Sequence, residues 1–258
     1  MKLDFTNKTA LVCGSTQGIG FAIAKSLSDL GANIILVARN EIKLKETITQ
    51  LSSTGKHQYI SADFTKEVEV DNLCDKIQNT KIDIVINNTG GPASGQIGSA
   101  KPDEFISAFN MHLIANHKIA LAVLSSMKEN KFGRIINIIS TSVKQPLPNL
   151  GVSNTIRAAV ANWSKTLANE VAAFGITVNN ILPGATNTLR LETIIKNKAE
   201  KLGADQGKVS EEMMSEIPMK RFGTAQEIAN AAVFLASDLA SYITGINIPV
   251  DGGRTSSL

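Results

Sequence analysis

Cysteine is nearly absent: Cys13 and Cys74 are the only two in 258 residues. That excludes a disulfide framework and suits a reducing cytosol. Aromatic residues are also scarce, with one tryptophan and only two tyrosines, Tyr59 and Tyr242. No charge of one sign dominates, since 26 Lys and Arg stand against 23 Asp and Glu for a formal +3. The basic residues are scattered, so a nucleic acid or a membrane surface has no electrostatic partner here. No stretch of 18 apolar residues exists to span a bilayer, and Lys2, Asp4 and Lys8 interrupt the opening where a signal peptide needs an unbroken apolar run. A cytoplasmic protein without a metal site is expected. With 43% apolar and 19% charged residues, the chain has the material for a sizeable core. Its length predicts one large domain over residues 1–258.

Short runs rich in Ile and Val alternate with longer stretches of helical spacing, the rhythm of βαβ units. Strands are predicted at Thr9–Cys13, Asn33–Val37, His57–Ala62, Ile82–Asn87, Arg134–Ser140, Thr177–Leu182 and Ile246–Val250. Their near-unbroken hydrophobicity predicts a seven-stranded parallel sheet covered by helices on both faces, a doubly wound α/β fold. Ile156, Ala159, Val160, Trp163, Leu167, Val171 and Phe174 recur at steps of three and four and mark a helix of about five turns. Phe105, Phe109, Leu113 and Leu121 mark a second. The rhythm breaks over 187–219, where Gly203, Gly207 and many Lys and Glu interrupt weak helical patterns. That segment is expected to be an insertion near the site, able to move as a lid.

The first strand runs into Gly14-Ser15-Thr16-Gln17-Gly18-Ile19-Gly20 and then into a helical stretch. Strand, glycine turn and helix stand in the order a phosphate site requires: the glycines let the backbone approach a pyrophosphate, and helix N-terminal amides hold its charge. The spacing Gly-x-x-x-Gly-x-Gly is not the usual dinucleotide fingerprint, and a tight turn without a ligand is the plain alternative. Further along stand Asn87-Asn88-Thr89-Gly90, Pro183-Gly184, Arg221-Phe222-Gly223 and Val250-Asp251-Gly252-Gly253.

Together these blocks resemble, over essentially the whole chain, the short-chain dehydrogenase/reductases, Rossmann-fold enzymes that move hydride between NAD(P)H and a carbonyl or alcohol. The resemblance implies cofactor contacts from Gly14 through Gly20 and from Asp63, Phe64, Asn88, Gly90, Pro183, Gly184 and Thr186. The bland reading of Asp63 is a cap for the helix beginning near Lys66. The second strand ends at Ala38-Arg39-Asn40, where an NAD enzyme usually carries an acid for the ribose 2′-hydroxyl. Arg39 matches a phosphate instead and favours NADP(H), unless it merely points to solvent.

The family's chemistry rests on Asn, Ser, Tyr and Lys. Asn110 matches the Asn and Ser140 the Ser, but where the family has Tyr-x-x-x-Lys this chain reads Ser153-Asn154-Thr155-Ile156-Arg157. A serine hydroxyl is a far weaker acid than a phenol of pKa about 10, and an arginine cannot relay a proton. Arg157 can still bind the nicotinamide ribose. Two readings follow. In one the protein reduces a carbonyl, with 3-oxoacyl thioesters as nearest analogues, and Lys144 in the loop after Ser140 replaces the tyrosine; the plain alternative is an exposed loop lysine. In the other it is a catalytically impaired NADP(H)-binding regulatory or assembly protein. His112 and His117 are expected to be structural and Cys13 a buried thiol. Lys144, Arg157 and Arg190 would crowd the pocket with positive charge and suit an anionic substrate. The resemblance also implies a homotetramer or homodimer built on the helices near Phe109 and Trp163.

Overall fold

The computed structural model describes residues 3–257. Its first half alternates strictly: β1 (Thr9–Cys13), α1 (Gly18–Asp29), β2 (Asn33–Ala38), α2 (Glu41–Ile48), β3 (Gln58–Ser61), α3 (Glu67–Ile77) and β4 (Ile84–Asn87). The second half carries α4 (Pro102–Phe109), α5 (Ala115–Glu129), β5 (Gly133–Ile138), α6 (Gly151–Val171), β6 (Ile176–Pro183), β7 (Thr186–Asn187), α7 (Leu189–Leu202), α8 (Gln206–Ser215), β8 (Gly223–Thr224), α9 (Ala225–Ala236) and β9 (Asn247–Val250). Seven strands form one parallel sheet in the order β3-β2-β1-β4-β5-β6-β9, and β7 and β8 form a separate two-stranded pair.

Successive residues of the inner strands serve opposite cores. Ala10 and Val12 pack with Ile23, Leu27, Ile228 and Leu235 from α1 and α9. Leu11 and Cys13 pack with Leu73, Ile77, Ile119 and Val123 from α3 and α5. A strand buried on both faces has no need to alternate, which is why β1, β2, β4, β5 and β6 read as continuous apolar runs. The edge strands β3 and β9 are only partly covered. The chain turns back on itself between β1 and β4, so a crevice opens at their carboxyl ends, where open α/β sheets bind ligands.

Two expectations about helices change. The predicted stripe on the helix before β5 splits: Phe105 and Leu113 are partly buried against the core, Phe109 is 39% and Leu121 56% exposed, and Ala108, His112, Ala115, Asn116, Ile119 and Val123 face inward. Between α4 and α5 the helix takes a π turn over Asn110–Ile114, and the wider turn displaces the 3.6-residue count. The weak patterns of 187–219 are real helices. Thr188 caps α7 by accepting from the Leu191 amide, and Asp205 caps α8 by accepting from Gly207 and Lys208. Gly203 ends α7 at φ +60°, a conformation glycine adopts at little cost.

Beneath the crevice runs a buried chain of amides. Asn87 donates to Asn137 (2.8 Å), Asn137 to Asn180 (2.9 Å) and Asn180 to Asn247 (2.8 Å), joining β4, β5, β6 and β9. Asn137 and Asn180 also bond to Ser164 on α6. Asn87 Oδ1 is the one member of the chain left buried without a partner among the described residues, and the bonds that are made help to fix the register of the strands that carry the site.

Candidate active site

Gly14 (φ +59°) and Gly18 (φ +54°) bend the chain from β1 into α1. A Cβ on Gly20 would stand 2.2 Å from the Gly14 carbonyl oxygen, and one on Gly14 would stand 2.5 Å from that of Asn88. No side chain fits at either position, so the backbone makes a bare, tight cradle. Ser15 is fully buried, its amide and hydroxyl both donating to the Val37 carbonyl (3.3 Å each). Gln17 opens α1 without a side-chain cap, which leaves first-turn amides for an anion beside Thr16 and Ile19. Asn88 braces the cradle by donating to the carbonyls of Cys13 (3.3 Å) and Gly14 (3.2 Å). Above Gly90 a Cβ would meet nothing within 4 Å. These features fit a dinucleotide's diphosphate. Burial pushes the Cys13 thiol up to about 12, so it is an inert part of the core.

Arg39 is exposed at the end of β2, and its carbonyl accepts from Ser61 (3.4 Å). Asp63 accepts from the Thr65 amide (3.0 Å) and hydroxyl (2.8 Å). The Thr65 amide bond, with a smaller pull from Arg39, holds its carboxyl below the usual aspartate range. Asp63 thus forms a turn ahead of α3 and does not cap it; the residue before α3 is Lys66. Phe64 is buried beside it. Pro183 closes β6, and Gly184 lies so close to Asp251 that a Cβ would be 2.7 Å from its Cα.

Thr186 requires a correction. It is buried and donates its hydroxyl to Gly184, whereas Thr188 stands over the glycine turn, its methyl 3.2 Å from a Cβ placed on Gly18. The short β7–β8 pair takes Thr186 into the strand pairing and leaves the partly buried Thr188 beside the glycine turn.

Ser140 follows β5 and starts a short helical turn at Thr141–Val143, accepting from the Ser142 amide (3.1 Å). Its oxygen is occupied from the protein side, which leaves its O–H as a donor. Lys144 ends that turn, half-buried, with its amide bonded to Thr141. Ser153 is half-buried in the first turn of α6. One turn on, Arg157 is only 7% exposed and donates to the Ile138 carbonyl (3.1 Å). Burial and then the nearby Arg190 press its guanidinium down to about 10, so it stays charged at neutral pH.

Asn110 also requires a correction. It is exposed and lines a small cavity with Phe64, Thr65, Glu67, Val70, Ile114, Ala115 and Lys118. The π turn that begins there brings His112 inward instead. His112 is 1% exposed, its Nδ1 lies 2.6 Å from the Thr89 hydroxyl, and its Nε2 is buried without a partner among the described residues. Residue-type matching favoured the asparagine. His117 is structural as expected, accepting from the Trp163 indole (3.3 Å).

Burial, with a smaller push from Arg157, lowers His112 to about 3. The unfolded chain takes up this proton near the ordinary 6.5 and the folded chain only near 3. Between those values the unfolded state binds more protons, so stability is intact above about 6.5 and falls as the pH drops, by about 1.4 kcal/mol per unit. Urea titrations at pH 7 and pH 5 are expected to show this loss, and His112→Asn is expected to shed it. Equal slopes for the two proteins would mean that the imidazole is solvated and protonated.

Among the described residues, no helix is long and apolar enough to cross a membrane. Residues 14–255 match the family described as enoyl-(acyl carrier protein) reductase. The chain is 34% identical to the NADPH-dependent reductase BacG of Bacillus subtilis over 98% of its own length and all of the relative. It is 38% identical to the 3-oxoacyl-[acyl-carrier-protein] reductase FabG of Haemophilus influenzae over 95% of its length and 97% of the relative. The solved L-sorbose reductase of Gluconobacter frateurii, in complex with NADPH and L-sorbose, superposes over 100% of both chains with a TM-score of 0.94 and 31% identity.

Proposed function

The chain belongs to the short-chain dehydrogenase/reductase family, and from that premise we propose that it is an NADPH-dependent reductase of a small, negatively charged carbonyl compound. The single observation that carries the reading is the glycine cradle braced by Asn88, with Ser140 and Arg157 beyond it at the strand ends. Bound NADPH supplies the hydride. The Gly14–Gly20 turn and the α1 amides hold its diphosphate, with Thr188 over the turn, and Asp63 and Phe64 border the adenine. Arg39 takes the 2′-phosphate. Arg157 serves the nicotinamide end, Ser140 donates to the carbonyl oxygen, and Lys144 supplies the proton that Ser153 is too weak an acid to give.

α7 and α8 close over the substrate as a lid. The exposed Phe109 and Leu121 of the α4–α5 helix offer a surface for a homodimer or homotetramer. A screen of ketones, quinones and 3-oxoacyl thioesters with NADPH tests the reading. Tight cofactor binding without turnover on any class would transfer it to a binding or assembly role.

The cofactor choice has its own test. NADPH is expected to bind at least tenfold tighter than NADH, because a guanidinium pairs with a phosphate in a charge-assisted bidentate geometry. Arg39→Ala is expected to erase about 1.4 kcal/mol of that preference or more. Equal dissociation constants for the two nucleotides by titration calorimetry would refute it.

A further inference from the structure

Beside the catalytic end lie two arginines, Arg157 and Arg190, with no counter-ion among the described residues. A Cβ on Gly91 would stand 3.8 Å from Arg157 Nη2 and 3.9 Å from Arg190 Nη2, so two guanidiniums converge over one bare glycine. Arg157 comes from α6 and Arg190 from the first turn of α7. Each makes one side-chain hydrogen bond, to the carbonyls of Ile138 (3.1 Å) and Pro92 (3.0 Å). Among the described residues neither forms an ion pair. Next to Arg157, the imidazole of His112 keeps a buried nitrogen with no partner among the described residues. Burying a cation against another cation is costly unless an anion completes the set.

We propose that Arg157 and Arg190 form a carboxylate subsite over Gly91, which makes the substrate an oxo acid whose carboxylate lies close to the carbonyl being reduced. The inference rests on the reductase reading and names its substrate class. A carboxylate can accept two parallel N–H bonds from each planar guanidinium, and in doing so it offsets their repulsion. The carbonyl must be near because Arg157 is tied to Ile138, two residues before Ser140 and so roughly 7 Å along an extended chain. A 2-oxo or 3-oxo acid spans that interval. The same two arginines could otherwise serve the diphosphate of the cofactor. Against that, the glycine cradle already supplies a diphosphate site, and Arg157 is anchored at the opposite, Ser140 end.

The probe is oxamate, an isostere of a 2-oxo acid that cannot be reduced, compared with neutral oxamide by calorimetry at saturating NADPH. Oxamate is expected to bind at least tenfold tighter than oxamide. Arg190→Gln is expected to reduce the ratio below threefold, and Arg190→Lys to keep part of it. Arg190 is exposed, so its replacement leaves the core untouched. Equal binding of oxamate and oxamide overturns the inference. So does an Arg190→Gln variant that weakens NADPH and leaves the ratio unchanged, which would assign the arginine to the diphosphate. Because oxamate is not turned over, the ratio stands or falls independently of activity: absent turnover with the ratio intact sinks only the reductase reading, and turnover of neutral ketones with a ratio of one sinks only the subsite.

Discussion

Ser140→Ala is expected to lower kcat for carbonyl reduction by about 10²–10³-fold, the usual loss when one preorganised donor to a developing oxyanion is removed. The Ser140 oxygen already accepts from the Ser142 amide, which fixes the hydroxyl's orientation and directs its remaining hydrogen outward. In water such a donor would be worth little. At the covered end of β5 it needs no reorganisation when charge builds on the carbonyl oxygen. The expected pattern is therefore a fall in kcat with little change in KM and no change in the NADPH dissociation constant, read from steady-state rates and from calorimetry on the same preparation. A variant that keeps more than a third of the native rate would show that the carbonyl is oriented by another group.

What the sequence made legible follows from how local each signal is. The five inner strands could be read because burial on both faces turns them into continuous apolar runs, and the glycine turn because its chemistry lies within seven consecutive residues. The position of Arg39, exposed at the end of β2, was legible for the same reason. The misses have a common origin in geometry that spacing alone does not carry. Asn110 is the residue type the family uses, but a π turn gives the inward position to His112. Thr186 was displaced by Thr188 because a two-residue strand pair captures the first threonine. The segment 187–219 looked irregular since its helices are mostly exposed and thus lack a strong apolar stripe; their caps, Thr188 and Asp205, were the overlooked cue. The convergence of Arg157 and Arg190 on Gly91 joins three separate segments, and only the folded chain shows it.

Ser153→Tyr combined with Arg157→Lys is expected to raise turnover more than tenfold on neutral ketones, since a positioned general acid contributes about 10²–10⁴. The physical basis is the difference between the two hydroxyls: a phenol of pKa about 10 can be lowered further by a neighbouring ammonium, whereas an aliphatic alcohol remains a poor donor at any accessible pH. Arg157 sits in the place of that ammonium, and although burial presses its guanidinium down to about 10 it stays charged at neutral pH. Its replacement by lysine also takes the bidentate fork out of the carboxylate subsite while keeping the charge, so the same double variant is expected to lose part of its preference for oxo acids over their esters while gaining rate on neutral ketones. This opposing change separates the two roles of one position. If instead the native protein outperforms the double variant on its best substrate, and Lys144→Ala abolishes that activity, the proton comes from Lys144 and the loss of tyrosine is compensated from the loop after Ser140. Were the native protein and the double variant both inert while still binding NADPH, the catalytic roles given to Ser140, Ser153 and Lys144 would be wrong, because the cradle would then hold a cofactor that nothing at the strand ends puts to use.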